Sequence, residues 1–407
     1  VSGILQENNM TTRAIDRNGS ALTSSMTLIM PAGLAFALGI GTMCTTASAQ
    51  YMLRNLVSNQ PGVAPNTDPN LVNAWGIAFN PTGLDWVANN GTGKSTLYDG
   101  NGVPNALVVN VPSATESTGG NPTGIVFNNS TNFTVSSNGH TGPAAFLWAT
   151  ESGTIAGWNP NVPNMAPPAS TQAFVAVNNS SNNAVYKGLA ISNTATASHL
   201  YAADFHNQKV QMFDGTFTPV NTPGAFTDPN LPSNYAPFNA RTLNNQVYVA
   251  YAQRATTGDD EDSGPGHGFI DVYDTSGNFV RRLVSQGNLN SPWGMTIAPA
   301  NFGTLSGSLL VGNFGDGKIN AFNPTTGQFI GTLNGSNGQP IVVDGLWGID
   351  FGNGFMNQPT NTLFFAAGPD EESNGLYGRI DLVPAPGLGA FIGAAVLLGT
   401  RRTRRRE

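Results

Sequence analysis

The chain has 407 residues, with 24 Asp or Glu against 17 Lys or Arg, for a net charge of −7. Only 10% are charged, far below the roughly 25% of an average soluble domain; in their place stand 49 Gly, 27 Pro and many Asn, Ser and Thr. This profile argues against a helical bundle and a basic nucleic-acid surface, and for many short strands joined by polar turns.

The first segment reads as an address. Met10 fits a true start, which leaves 1–9 as an upstream extension. Arg13 and Arg17 precede an apolar run from Met26 to Met43, and Ala47-Ser48-Ala49 precedes Gln50. That order predicts a secretory signal over 1–49, cleaved after Ala49, with an uncleaved membrane anchor as the alternative. Cys44 is the single cysteine and lies inside this segment, so the mature chain holds no disulfide and no thiol nucleophile. Met43 is too bulky beside it for a lipidation site.

The next segment, "YMLRNLVSNQ" (51–60), matches "NFVRRLVSQG" (278–287) far downstream. Between them one pattern recurs, which is the mark of a repeat architecture. Six openers stand at "WGIAF" (75–79), "TGIVF" (123–127), "KGLAI" (187–191), "FNART" (238–242), "WGMTI" (293–297) and "WGIDF" (347–351). Each is followed by a second strand, from "LDWVANN" (84–90) to "TLFFAAG" (362–368), and a third, from "STLYDG" (95–100) to "LYGRIDL" (376–382).

Outer strands are expected at 105–111, 172–178, 279–286 and 329–335, with a weak one at 217–221. The spacing of 48 to 64 residues between openers suits propeller blades. The expectation is an all-β, six-bladed β-propeller over 50–383. The sixth segment lacks an outer strand, so the N-terminal strand of the mature chain is predicted to close the ring. Gly in five of the six openers then lets inner strands crowd the axis, and Trp75, Trp293 and Trp347 plug the spaces between blades or one end of the channel or, alternatively, offer a stacking platform to a flat ligand.

The last segment, 384–407, carries Pro384-Ala385-Pro386, a short apolar stretch Gly387–Thr400, and Arg401, Arg402, Arg404, Arg405 and Arg406. It is short for a bilayer span, and its arginines would stay cytoplasmic. The three-part tail resembles the PEP-CTERM sorting signal of Gram-negative and related bacteria, with Ala385 in place of the signal's Glu. A plain C-terminal anchor is the alternative. The resemblance implies export to the cell envelope or beyond, handled by signal peptidase and an exosortase-like sorting enzyme. The repeats themselves resemble NHL-type and lactonase-like propellers. More closely, "NAWGIAFNPTGLDWVANNGTGKSTLYDGNG", "SPWGMTIAPANFGTLSGSLLVGNFGDGKINAFNPTTG" and "DGLWGIDFGNG" look like an uncharacterised family of exported bacterial propeller proteins. That family implies no reaction.

Loops joining second to third strands are predicted to gather at one mouth of the channel. They bring Asn89, Asn90, Glu151, Asp204, His206, Asn313, Asp316, Asp370 and Glu371 to that face. Converging oxygens suit Ca²⁺, and lactonase-like propellers hold a catalytic Ca²⁺ there; turn-capping by the same Asn and Asp is the alternative. The run Asp259, Asp260, Glu261, Asp262 is either a solvated loop or a surface Ca²⁺ site, without EF-hand spacing. Among His140, His199, His206 and His267, only His206 sits well for acid–base work. No Gly-x-Ser-x-Gly elbow occurs, and "GTGKST" (91–96) lacks the P-loop spacing. The first functional expectation is an exported or surface-attached scaffold that binds polysaccharide or envelope protein. The alternatives are a Ca²⁺-dependent hydrolase or lactonase and a structural surface-layer component.

Overall fold

A computed structural model describes residues 50–383. The expected signal peptide and sorting tail lie outside those residues. Among the described residues no helix is long and apolar enough to cross a membrane.

Six sheets radiate from one axis, and each opener is the innermost strand of its sheet. Blade one runs outward through Ala74–Phe79, Asp85–Asn89, Lys94–Tyr98 and Val109–Asn110. Blade two holds Pro122–Phe127, Phe146–Thr150, Thr154–Trp158 and Phe174–Asn178; blade three, Tyr186–Asn193, Ser198–Asp204, Lys209–Asp214 and Pro219–Val220. Blade four holds Tyr235–Leu243, Gln246–Gln253, Gly268–Tyr273 and Phe279–Ser285, and blade five Pro292–Ile297, Leu309–Asn313, Ile319–Phe322 and Phe329–Thr332. Neighbouring strands within these five blades are antiparallel, so the chain zigzags outward and then crosses to the next opener.

Blade six closes the ring. Leu346–Phe351, Leu363–Ala367 and Leu376–Val383 are completed by Gln50–Ser58, which pairs antiparallel with Leu376–Val383 from Gln50↔Val383 to Ser58↔Leu376. Asn66–Thr67 adds a short parallel strand outside it. The strand also ties blade six to blade five: Tyr51 OH donates to Phe302 O at 2.8 Å, and Tyr51 N–H to Asn334 O at 3.1 Å.

The opener glycines are required by close approach. A Cβ on Gly76 would lie 2.6 Å from Thr123 O of the next opener, and one on Gly348 would lie 2.6 Å from Trp75 O. Blade four has Asn239 at this position instead, and its side chain spans the gap by donating to Trp293 O at 2.8 Å. A register shift falls at the same place in several openers, between Ala74 and Ile77 and between Pro292 and Gly294 for example. Such bulges re-aim a side chain, and here they turn the residue before each glycine toward the axis.

One element was not anticipated. A hairpin, Thr134–Ser137 with His140–Pro143, is inserted between the first two strands of blade two. Its turn is Asn138-Gly139 with φ of 51° and 77°, the positive-φ pair that a tight hairpin needs. The Asn-Gly signal was present in the sequence.

Candidate functional site

The residue before each opener glycine, or before Asn239 in blade four, forms one ring: Trp75, Thr123, Lys187, Phe238, Trp293 and Trp347. All six are buried. Trp75 and Trp347 stack with centroids 3.6 Å apart, Phe314 stacks on Trp347 at 4.1 Å, and Trp293 meets both tryptophans edge-on near 6 Å. The cluster seals the channel at the face where the second-to-third-strand loops gather. Trp75, Trp293 and Trp347 are therefore packing residues, with no ring face left for a ligand.

Lys187 is the exception in this ring, and the sequence reading passed over it. Its side chain is only 4% exposed, with the ammonium 5.3 Å from the centroid of Trp75. Nζ donates to Glu151 Oε1 at 2.7 Å and lies 3.5 Å from Asp260 Oδ1. Burial opposes its charge, yet Glu151, Glu261 and Asp260 outweigh that and lift the ammonium to about 12. Lys187 is thus a fixed cation, unsuited to act as a base or a nucleophile near neutral pH. A lone charge in an otherwise apolar or hydroxylic opener position was the signal for it.

Around Lys187 a polar chain crosses four blades. Asn90 Nδ2 donates to Glu151 Oε2 at 2.8 Å, Asn121 Nδ2 to Asn90 O at 3.1 Å, and Asn73 Nδ2 to Glu372 Oε2 at 3.2 Å. Glu372 arrives on a turn in which Asp370, Glu371 and Glu372 all have positive φ, between 52° and 64°. Consecutive left-handed residues of this kind cost roughly 1–2 kcal/mol each. Burial, and then repulsion from Glu261, push the Glu372 carboxyl up to about 7, against the pull of Lys187.

Of the residues expected at the mouth, only some meet. Asn90 and Glu151 join the network. Asn89 is fully buried and donates to Thr96 Oγ1 at 2.9 Å. Asn313 donates to Asn288 O and Asp316 Oδ1, while Asp204 accepts from Asn207 and Val185. Asp370 accepts from Asn374 Nδ2 at 3.2 Å, and Glu371 is exposed. These contacts are turn and strand caps. His206 Nδ1 lies 2.7 Å from Asp259 Oδ1, which orients the ring on the rim.

The Ca²⁺ site considered at Asp259–Asp262 is not formed. Asp259 turns to His206, Asp260 and Glu261 face Lys187, and Asp262 accepts from Gln253 Nε2 at 2.8 Å. Only Asp260 and Glu261 share a direction, toward an ammonium, while Asp259 and Asp262 turn elsewhere, so the four carboxylates do not converge on one point. Among the described residues, no three His, Cys, Asp or Glu come together in an arrangement that could hold a metal ion.

The opposite end of the channel is open. Below the tryptophans the inner strands leave a cavity of only about 20 Å³, room for one water. It is followed by a pocket of about 210 Å³ lined by Phe79, Ile125, Phe127, Ile191, Arg241 and Asp350, among others. Arg241 Nη2 donates to Asp350 Oδ2, and Thr296 Oγ1 donates to Asp350 Oδ1 at 3.1 Å. The sequence reading had placed no candidate here, because end-of-opener residues such as Arg241 and Asp350 carry no motif.

The Glu372 carboxyl makes folding pH-dependent. Its folded pKa of about 7 exceeds the ordinary 4.5, so the folded state favours the protonated form. This contribution is complete below about pH 4.5 and is lost as pH rises through 7, on the order of 2 kcal/mol for a partly buried group. Glu372→Gln is expected to flatten that loss in urea unfolding followed from pH 5 to 8. An unchanged pH profile would show that the carboxyl is already ionised and solvated.

No family model matches the chain. It is 34% identical over 348 residues to an uncharacterised protein, R648, of Acanthamoeba polyphaga mimivirus, covering 82% of this chain and 81% of that one. A second mimivirus protein, L690, is 34% identical over 353 residues, covering 82% and 86%. Among solved structures, a streptogramin B lyase aligns with a TM-score of 0.47 and 11% identity, over 82% of this chain and 98% of that one. A glucose dehydrogenase aligns at 0.49 and 12%, over 82% and 100%. The resemblance read from the sequence implied bacterial relatives, whereas these two relatives are viral. The chain belongs to the same protein family as the uncharacterised mimivirus proteins R648 and L690.

Proposed function

We propose that the protein is an exported propeller that binds polysaccharide through the open end of its channel. The observation that carries this reading is the 210 Å³ axial pocket, which couples apolar ring surface to a donor–acceptor pair. Phe79 and Phe127 supply the rings, and Arg241 beside Asp350 supplies hydrogen-bonding partners for hydroxyls. The pocket is smaller than the roughly 300–1,000 Å³ that encloses a drug-sized molecule. It therefore suits one ring of a longer polymer. The other mouth is sealed and its charges are paired with one another, which leaves little there to grip a ligand.

Export through 1–49 and retention at the envelope through 384–407 belong to the same proposal and rest on those segments' sequence. Affinity electrophoresis of the full chain in dextran, hydroxyethyl cellulose, glycol chitin and alginate gels tests the binding. Retardation is expected in at least one, weakened about tenfold by Phe127→Ala and by Arg241→Ala. No retardation, or retardation that both variants leave intact, would exclude the pocket. In a Gram-negative host with an exosortase, the full chain should fractionate with the envelope and a chain ending at 383 should not. Cytoplasmic recovery of both would refute export.

A further inference from the structure

Blade three has an outer strand of only two residues at its rim. Its third strand, Lys209–Asp214, is met outside only by Pro219–Val220, paired with Met212 and Phe213, and by Asp214 N–H donating to Thr218 O at 2.9 Å. Outward-facing residues alternate along an antiparallel ladder. After Asp214 and Met212, the next N–H and C=O turned to the rim belong to Val210, and among the described residues no strand pairs with that side of it. Elsewhere the place is filled, by Phe174–Asn178, Phe279–Ser285, Phe329–Thr332 and Gln50–Ser58. Blade one also has a two-residue outer strand, but Asn105 N–H bonds Leu97 O at 2.9 Å and Pro104 bridges Tyr98, so its edge is covered further along.

Two hollows flank the bare edge. One, of about 370 Å³, is lined from the blade-two side by Asn179 and Asn182; the other, of about 200 Å³, from the blade-four side by Tyr235 and Tyr251. Both include Lys209, Val210 and Phe226. A strand laid on a sheet edge sends alternate side chains to opposite faces, and here each face offers a hollow. Strand addition of this kind draws affinity from main-chain bonds and specificity from such pockets.

We propose that the blade-three edge accepts an extended peptide from a partner protein, carrying a carboxylate that meets Lys209. The fold already works this way once, since blade six takes its outer strand from a segment remote in sequence. Exposed Lys209 selects the partner. A lysine on an edge disfavours the identical edge of a second copy and attracts an acidic peptide. This site is separate from the axial pocket and does not depend on what that pocket binds.

Selection of a displayed random nonapeptide library against the full chain tests the idea. The enriched peptides are expected to alternate β-branched residues, to contain Asp or Glu and to lack proline. A synthetic copy should protect the Val210 amide from hydrogen exchange, and N-methylation of its alternate amides should abolish binding. Val210→Pro removes only an outward N–H, tolerable on an edge, and should weaken binding about tenfold. Should that variant misfold, Lys209→Glu should weaken it similarly, with recovery when the peptide's carboxylate is exchanged for lysine. Absence of enrichment, or peptides that bind both variants as well as the parent, would overturn the proposal. So would a dimer of the full chain that Val210→Pro dissolves, which would assign the edge to a second copy.

Discussion

Deleting Gln50–Ser58 is expected to abolish the cooperative thermal transition and drive the chain into aggregates. The strand supplies the outermost full ladder of blade six and buries Tyr51, Leu56 and Val57. At about 1.5–3 kcal/mol per fully buried large side chain, those three account for a large part of the 5–15 kcal/mol that typically separates folded from unfolded. The loss also uncovers the Leu376–Val383 edge, an open template for pairing between chains. Circular dichroism melting and size exclusion would read the outcome. Adding a synthetic peptide of residues 50–58 should restore part of the transition, because pairing needs no covalent link. A deleted chain that stays monomeric and melts within a few degrees of the parent would show that three strands suffice for blade six.

Replacing Arg282 by Met is expected to cost about 3–5 kcal/mol at pH 7.5, the usual penalty for orphaning buried charge. Arg282 bridges Asp271 and Asp228, whose side chains are 0% and 1% exposed, and its guanidinium lies 4.4 Å from the Phe269 ring centroid. Burial comes first in raising the Asp271 carboxyl, to about 6, and Asp228 adds to it while Arg282 holds it down. A raised folded pKa means that this carboxyl's contribution is present at low pH and is lost as pH climbs through 6. Without Arg282 the folded pKa moves higher still, so the deficit should be small at pH 5 and large at pH 7.5. Asp228→Asn with Asp271→Asn should recover much of the loss. Urea unfolding at both pH values decides it: an equal deficit at each would mean that lost packing, not lost charge, is what matters.

These two expectations draw on different kinds of information. Ring closure was legible in the sequence, because "YMLRNLVSNQ" resembles another blade's outer strand and the sixth segment lacked one of its own. The openers were equally legible, since five of the six carry a glycine followed by apolar residues, and blade four has Asn239 in that place. The Arg282 triad was not. Asp271 is its cross-strand partner, but Asp228 comes from the connection between blades, and only packing puts both carboxylates against one guanidinium.

The candidate site divides in the same way. Asn90 and Glu151 were identified from their loops, yet the cation that Glu151 holds, Lys187, lies in an opener, and Glu372 joins through Asn73 from the neighbouring blade six. By itself the sequence determined blade number, strand order and the means of closure, because each is written in local periodicity and repeated at near-constant spacing. The weak segment 217–221 already marked the short outer edge of blade three, but tertiary structure alone decided which end of the channel is sealed and which charges are buried together. Those features depend on side chains from different blades meeting at the axis or rim, and no local pattern encodes that meeting.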